Sequence, residues 1–329
     1  MTREKSLESE GAVAVIDVGS NTIKLLVAEL SSLGDLKVLH ERSEATRIES
    51  ELSTDGHILT ANGMDSALKA IERLVEESLS HEPLHVRIVA TGLVRDSMNG
   101  KLFAEKVCDS TGYELDIISG DEEAVGIALG VGTDSSFSNR SNYLVCDLGG
   151  GSLELIRVES RIVRSTVSLP LGAVRLTKRF VSNANGASVQ SERDEIADHV
   201  RQALCSSGFP LPPSPLFMIV TGGAFATVRA IFAEAKNISF DNCSIISSSD
   251  LATFSTEFGS LTIDQRVDRF PPLQKERADI MPTALIVILT LLEHFKVSEV
   301  HHSLKNLRFG LAAKLLDCAN SIGIKKKTD

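Results

Sequence analysis

The chain has 329 residues, 43% hydrophobic and 24% charged, which is length enough for two domains with separate cores and a composition that argues against disorder. A net charge of −10 argues against broad nucleic-acid binding, and the longest apolar run, "ALIVILTLL" at 284–292, is far short of the roughly 18–20 residues that cross a bilayer. Five scattered cysteines without a CxxC pair, and a first segment without an apolar stretch, lead to the expectation of a soluble cytoplasmic protein with free thiols.

The first element along the chain is "AVIDVGSNTIKLLV", Ala14 to Val27. An apolar strand ends at Asp17, the turn Gly19-Ser20-Asn21-Thr22 carries little side chain, and a second apolar strand holds one charge, Lys24. Apolar residues at helical spacing over Met64–Leu79 predict an amphipathic helix, and His85–Thr91 reads as a buried strand. Beyond a loop-like stretch at 132–142, "YLVCDLGGGSLELI" (Tyr143–Ile156) repeats the opening pattern. A shift of 130 residues lays Asp17 on Asp147, Gly19 on Gly149, Thr22 on Ser152 and Leu25 on Leu155, with Glu154 where the first copy has Lys24. Two related half-molecules are therefore expected. Loops at 182–188 and 206–215 flank a helix predicted over Ser191–Leu204, a strand at Leu216–Thr221 delivers Gly222-Gly223, and Leu307–Leu316 reads as a helix. The histidines offer no metal site, since Pro83 interrupts the His81–His85 spacing and His301-His302 lacks partners.

Such turns suit phosphate. Glycines let backbone N–H groups converge on an anion, a hydroxyl adds a donor, and an aspartate at the strand end can hold a divalent cation. Two hairpins facing each other across a cleft would clamp a row of phosphates: Gly19, Ser20, Asn21, Thr22 and Lys24 on one side, Gly149, Gly150, Gly151 and Ser152 on the other. Gly222-Gly223, before a run with helical character, adds a third contact of the helix N-terminus kind. Each motif alone reads equally well as a tight turn or a close helix contact, and it is the recurrence that favours function. Neither a P-loop nor a Rossmann fingerprint is present.

The series "IDVGSNTIKLLVAE", "ATGLVRDSMN", "ISGDEEA", "DLGGGSLEL", "SLPLGAVRLTKRF", "TGGAFATVRAI" and "ERADIMP" resembles, in order and over nearly the whole chain, the exopolyphosphatase/guanosine pentaphosphate phosphatase family in its short two-domain form. The resemblance implies an α/β fold of two duplicated ribonuclease H-like domains, of the actin, heat-shock chaperone and sugar kinase type, around a central cleft. The loop-like breaks place the first domain at 1–128 and the second at 129–304, and the resemblance implies that a helix in 305–322 returns to the first. It implies Mg2+-assisted release of terminal phosphate from inorganic polyphosphate or guanosine pentaphosphate, with Glu122 as catalytic base, Glu123 as runner-up and Arg95 near the phosphates. Asp147, Glu154 and Asp17 are the implied metal contacts, and Arg277, in the "ERADIMP" motif, is taken as a phosphate contact. Lys24, Arg95, Arg175, Lys178, Arg179, Arg277, Lys305 and Arg308 lie in or beside these motifs, so a positive cleft is expected inside an acidic protein. The lysines 325–327 are expected to be a solvated tail. A homodimer is a common arrangement for soluble enzymes, and nothing in the sequence specifies its surface.

The chain departs from the family pattern at Val125, at "NLRFG" (Asn306–Gly310) and at "TRIESEL" (Thr46–Leu52), which leaves substrate preference open. An ATP-dependent kinase of the same superfamily and a non-catalytic polyphosphate or alarmone sensor stand as alternatives.

Overall fold

A computed structural model describes residues 11–48, 58–211, 216–318 and 322–326. The first sheet contains β1 (Val13–Val18), β2 (Thr22–Leu30), β3 (Leu36–Ala45), β4 (His85–Ala90) and β5 (Leu115–Ile117) in the order β3-β2-β1-β4-β5. β1, β2 and β3 are antiparallel neighbours, whereas β1, β4 and β5 run parallel. The second sheet repeats this plan with β6 (Tyr143–Leu148), β7 (Leu153–Glu159), β8 (Ile162–Leu169), β9 (Met218–Thr221) and β11 (Glu299–His302) in the order β11-β9-β6-β7-β8. Two strands extend its edges, β10 (Ile245–Ser247) beside β11 and β12 (Lys325–Lys326) beside β8. Three antiparallel strands followed by two parallel ones, twice over, is a duplicated ribonuclease H-like fold. Lys325 and Lys326 thus join a sheet edge and are not a free tail, while Lys327 lies outside the described residues.

Register carries the duplication down to single residues. Asp17 faces Lys24 across β1–β2, and Asp147 faces Glu154 across β6–β7. β1 and β6 are central, with helices over their faces, which is why both read as nearly unbroken apolar runs.

Helix α1 (Ala61–Leu79) begins three residues before the predicted Met64, because the Thr60 hydroxyl accepts from the Gly63 N–H and caps it there. Its Met64, Ala67, Ile71 and Leu74 cover the outer face of the first sheet. Short helices α2 (Gly92–Asp96) and α3 (Gly100–Thr111) precede α4 (Gly120–Gly132). The second half carries α5 (Ala173–Phe180), α6 (Gln190–Ser206), α7 (Gly223–Ala235), α8 (Ser248–Gly259), α9 (Ile263–Arg269), α10 (Met281–Phe295) and α11 (Leu307–Leu315). The apolar run at 284–292 is the body of α10, buried among its neighbours, and no helix of the described residues is long and apolar enough to cross a membrane.

Between the sheets lies a third apolar core built on α4 and α11. α4 packs on β7 and β8, α11 on β1 and β2, and the two helices cross each other. The crossing is backbone against backbone: a Cβ on Gly130 would lie 1.9 Å from the Asn306 carbonyl oxygen, and one on Gly310 1.9 Å from that of Gly126. Residue 128 falls inside this helix pair, in the middle of α4.

Alanine at either glycine would gain about 1 kcal/mol of helix propensity but must push the helices apart. Gly130→Ala and Gly310→Ala should therefore each lower the unfolding free energy by about 1–3 kcal/mol, as read by urea denaturation.

Candidate functional site

The two glycine turns meet. A Cβ on Gly150 would stand 3.2 Å from that of Asn21 and 3.3 Å from that of Ser20. The second turn is held from below by the start of α5, where the N–H groups of Ala173 and Val174 each donate to the carbonyls of Gly149 and Gly150 at 3.0 Å. Gly222 closes the site from a third side with φ +104°, where a Cβ would lie 2.4 Å from the Leu148 carbonyl oxygen, so only glycine fits.

These turns enclose a cavity of about 110 Å³. Asp17, Gly19, Ser20, Asn21, Thr22 and Lys24 line it from the first half, and Asp147, Gly149, Gly150, Gly151, Ser152, Glu154, Gly222, Gly223 and Arg277 from the second. Residues 130 positions apart in sequence therefore face one another across a single cavity.

Glu122 is not among the lining residues. Its carboxylate pairs with Arg87 at 3.1 Å, 41% exposed, while Glu123 lines the cavity, 7% exposed, and accepts from Arg95 at 3.0 Å. Successive helical residues point about 100° apart, so with Ser119 capping α4 at the Glu122 N–H, one of the two acids faces the cavity and the other faces Arg87. Arg95 itself does not line the cavity. It also donates to the Ile118 carbonyl at 3.1 Å, which fixes it as the support of Glu123.

Charge in the cavity differs from expectation. Among the described residues the lining holds four acids, Asp17, Glu123, Asp147 and Glu154, against two cations, Lys24 and Arg277. Arg175, Lys178, Arg179 and Lys305 do not line it, and the Lys305 ammonium donates instead to the Thr133 carbonyl at 2.8 Å. Burial pushes Glu123 up to about 7 against the pull of Arg95, and Asp147 up to about 6 against the pull of Lys24. Glu154 is raised well above the ordinary carboxylate range by burial and by the charges of Glu123 and Asp147, and burial also raises Asp17. Burial lowers Lys24, with Arg308 adding to the fall. The cavity is short of positive charge.

Hard carboxylate oxygens in deficit of a counter-charge suit Mg2+ chemically. Asp17, Asp147 and Glu154 nonetheless do not form a three-carboxylate cage, since no group of three His, Cys, Asp or Glu among the described residues is arranged to hold a metal ion. Mg2+ commonly takes one or two carboxylates and completes its shell with phosphate oxygens and water, and the donors present fit that mode.

Two contributors escaped sequence reasoning. Ser168 donates to Glu154 at 2.8 Å from the register position opposite it on β8, a pairing that the "SLPLG" motif carries but does not reveal. Arg308 was legible only as a nearby cation, yet it reaches across from α11 to the Leu25 carbonyl at 2.7 Å and so buttresses β2 beneath Lys24. Of the departure at Thr46–Leu52, residues 49–52 lie outside the described residues.

Duplicated sheets with two facing glycine turns and an acid-lined cavity define a two-lobed protein of the ribonuclease H-like class with a cleft suited to phosphate. Residues 26–318 match the Ppx/GppA phosphatase family, and the chain belongs to that family. A guanosine-5'-triphosphate,3'-diphosphate pyrophosphatase of Vibrio atlanticus is 26% identical over 322 residues, covering 96% of this chain and 61% of that protein. The corresponding protein of Pseudoalteromonas atlantica gives 26% over 330 residues, again 61% of its length, so this chain spans about three fifths of these relatives. Among solved structures, an exopolyphosphatase from Cytophaga hutchinsonii superposes with TM-score 0.82 at 21% identity, covering 93% of this chain and 98% of that one. The Aquifex aeolicus member of the family superposes with TM-score 0.76 at 22% identity, covering 93% and 98%. At these identities the structures establish the shared fold.

A raised carboxylate favours folding below its ordinary pKa, and that contribution is lost as pH rises through the raised value. Glu154→Gln, which keeps the shape and removes the charge, should therefore stabilise the ligand-free protein at pH 8 by on the order of 1–3 kcal/mol, with the gain shrinking towards pH 5. Urea denaturation at the two pH values measures it.

Proposed function

We propose that the chain is a phosphohydrolase that releases the terminal phosphate from a phosphoanhydride chain, with inorganic polyphosphate or guanosine pentaphosphate as substrate. The observation that carries this reading is the buried Glu123, held by Arg95, on the wall of a cavity enclosed by two glycine turns. Phosphoryl transfer asks little of a protein beyond alignment, charge stabilisation and one base.

In this reading the amides of the Gly19–Thr22 and Gly149–Ser152 turns grip successive phosphoryl groups, and Ser20, Thr22 and Ser152 add hydroxyl donors. Glu123 accepts the proton of the attacking water. Arg95 keeps Glu123 in place and limits the rise in its pKa, so that it is ionised near neutral pH. Lys24 and Arg277 face the charge that builds on the phosphoryl oxygens. Mg2+, held by Asp147 and Glu154 together with the substrate, would supply the positive charge that the cavity lacks, and Asp17, register partner of Lys24, would orient that lysine.

Phosphate release from long-chain polyphosphate, guanosine pentaphosphate and ATP, with and without Mg2+, tests the reading. Turnover should need Mg2+ and should fall about 10²–10⁴-fold in Glu123→Gln, while Glu122→Gln, whose carboxylate pairs with Arg87 away from the cavity lining, stays within a few-fold of wild type. Loss of activity in Glu122→Gln with Glu123→Gln unaffected would reverse the assignment. The base must be ionised, so kcat/KM should climb with pH through about 7 on its acid limb, and a profile flat from pH 5.5 to 8 would exclude Glu123.

A further inference from the structure

Glu154 is a flexible side chain in a crowded place. It lines the cavity, is 3% exposed, and has the like charges of Glu123 and Asp147 beside it. Repulsion of this kind drives a long carboxylate side chain off any one position unless a donor holds it.

Two hydroxyls reach it. Ser168 Oγ donates to Glu154 Oε1 at 2.8 Å, and Ser152 bonds the same carboxylate. They are not equivalent. Ser152 lines the cavity as part of the second glycine turn, whereas Ser168 is not among the lining residues. A hydroxyl has a single hydrogen, so Ser152 cannot donate to Glu154 and to a phosphoryl oxygen at once. Ser168 stands behind Glu154 with no ligand to serve.

Strand register makes this anchor rigid. β7 and β8 pair with Glu154 opposite Ser168, so the two side chains lie next to each other on one face of the sheet. α4 begins over the same spot: a Cβ on Gly120 would lie 3.8 Å from Ser168 Cβ and 3.9 Å from Arg95 Nη2. Thr166, on the same face of β8, donates instead to Asp121 at 3.1 Å, in the first turn of α4 and outside the cavity lining.

We infer that Ser168 is the positioning residue of Glu154, the fixed donor that keeps this carboxylate on the cavity wall, ready for a divalent cation, while Ser152 turns to phosphate. The inference rests on the proposed reading in taking Glu154 as a metal contact. Ligating carboxylates are themselves hydrogen-bonded, and loss of such a partner weakens the site without removing a ligand.

Binding of Mn2+, a paramagnetic substitute for Mg2+, followed by electron paramagnetic resonance in the presence of orthophosphate, tests this without turnover. Ser168→Ala should weaken Mn2+ binding about 10–100-fold and raise in parallel the Mg2+ concentration for half-maximal phosphate release from polyphosphate, with kcat at saturating Mg2+ within a few-fold of wild type. Ser168→Thr and Ser168→Val, alike in shape and both suited to a strand, differ in the hydroxyl and repeat the comparison should alanine disturb β8. Threonine should bind Mn2+ near the wild-type level, and valine as weakly as alanine. Thr166→Ala, which removes a hydroxyl bonded elsewhere on the same strand, should leave Mn2+ affinity unchanged. Wild-type affinity in folded Ser168→Ala or Ser168→Val overturns the inference, as does an equal loss in Thr166→Ala or a wild-type protein that binds no Mn2+. Mn2+ binding that depends on the Ser168 hydroxyl in a protein that releases no phosphate would keep the positioning role and discard the hydrolytic reading.

Discussion

The distance between the two lobes is set by a contact without side chains. Where α4 crosses α11, Gly130 and Gly310 let the carbonyl oxygens of Asn306 and Gly126 approach to positions that a single methyl group would fill. Because α4 rests on the second sheet and α11 on the first, the crossing fixes how far apart the sheets stand. The glycine turns at the ends of β1 and β6 then meet at Ser20, Asn21 and Gly150. Packed interiors do not deform smoothly, so an added atom at the crossing is felt at the turns.

Electrostatics at the site run against folding. Four acids share a cavity with two cations, and burial raises the acids because each ionised form is poorly solvated there. Such an arrangement persists only if surrounding structure over-determines it, and the paired central strands do so by fixing Asp17 opposite Lys24 and Asp147 opposite Glu154. On the proposed reading, Mg2+ arriving with the phosphates would supply the positive charge that this cavity lacks.

Much of this was legible in the sequence. A shift of 130 residues aligned Asp17 with Asp147 and predicted that two turns would face each other, and the strand order confirms the duplication. β1 and β6 were readable because strands buried on both faces are apolar throughout, and α1 and α6 because their periodicity is that of helices with one face on a core. The choice between Glu122 and Glu123 was not legible, since two adjacent acids at a helix start satisfy the helix dipole equally. Rotation about α4, fixed by the Ser119 cap and by packing against α11, turns Glu123 to the cavity and Glu122 to Arg87.

The sequence by itself determined the elements, the duplication and the identity of the turns, because local periodicity and backbone freedom are properties of neighbouring residues. Only the tertiary structure decided the excess of acids in the cavity and the pairing of Arg95 with Glu123. Those depend on which groups from distant segments share a space closed to water, and Coulomb interactions and desolvation are set by that space and not by order along the chain.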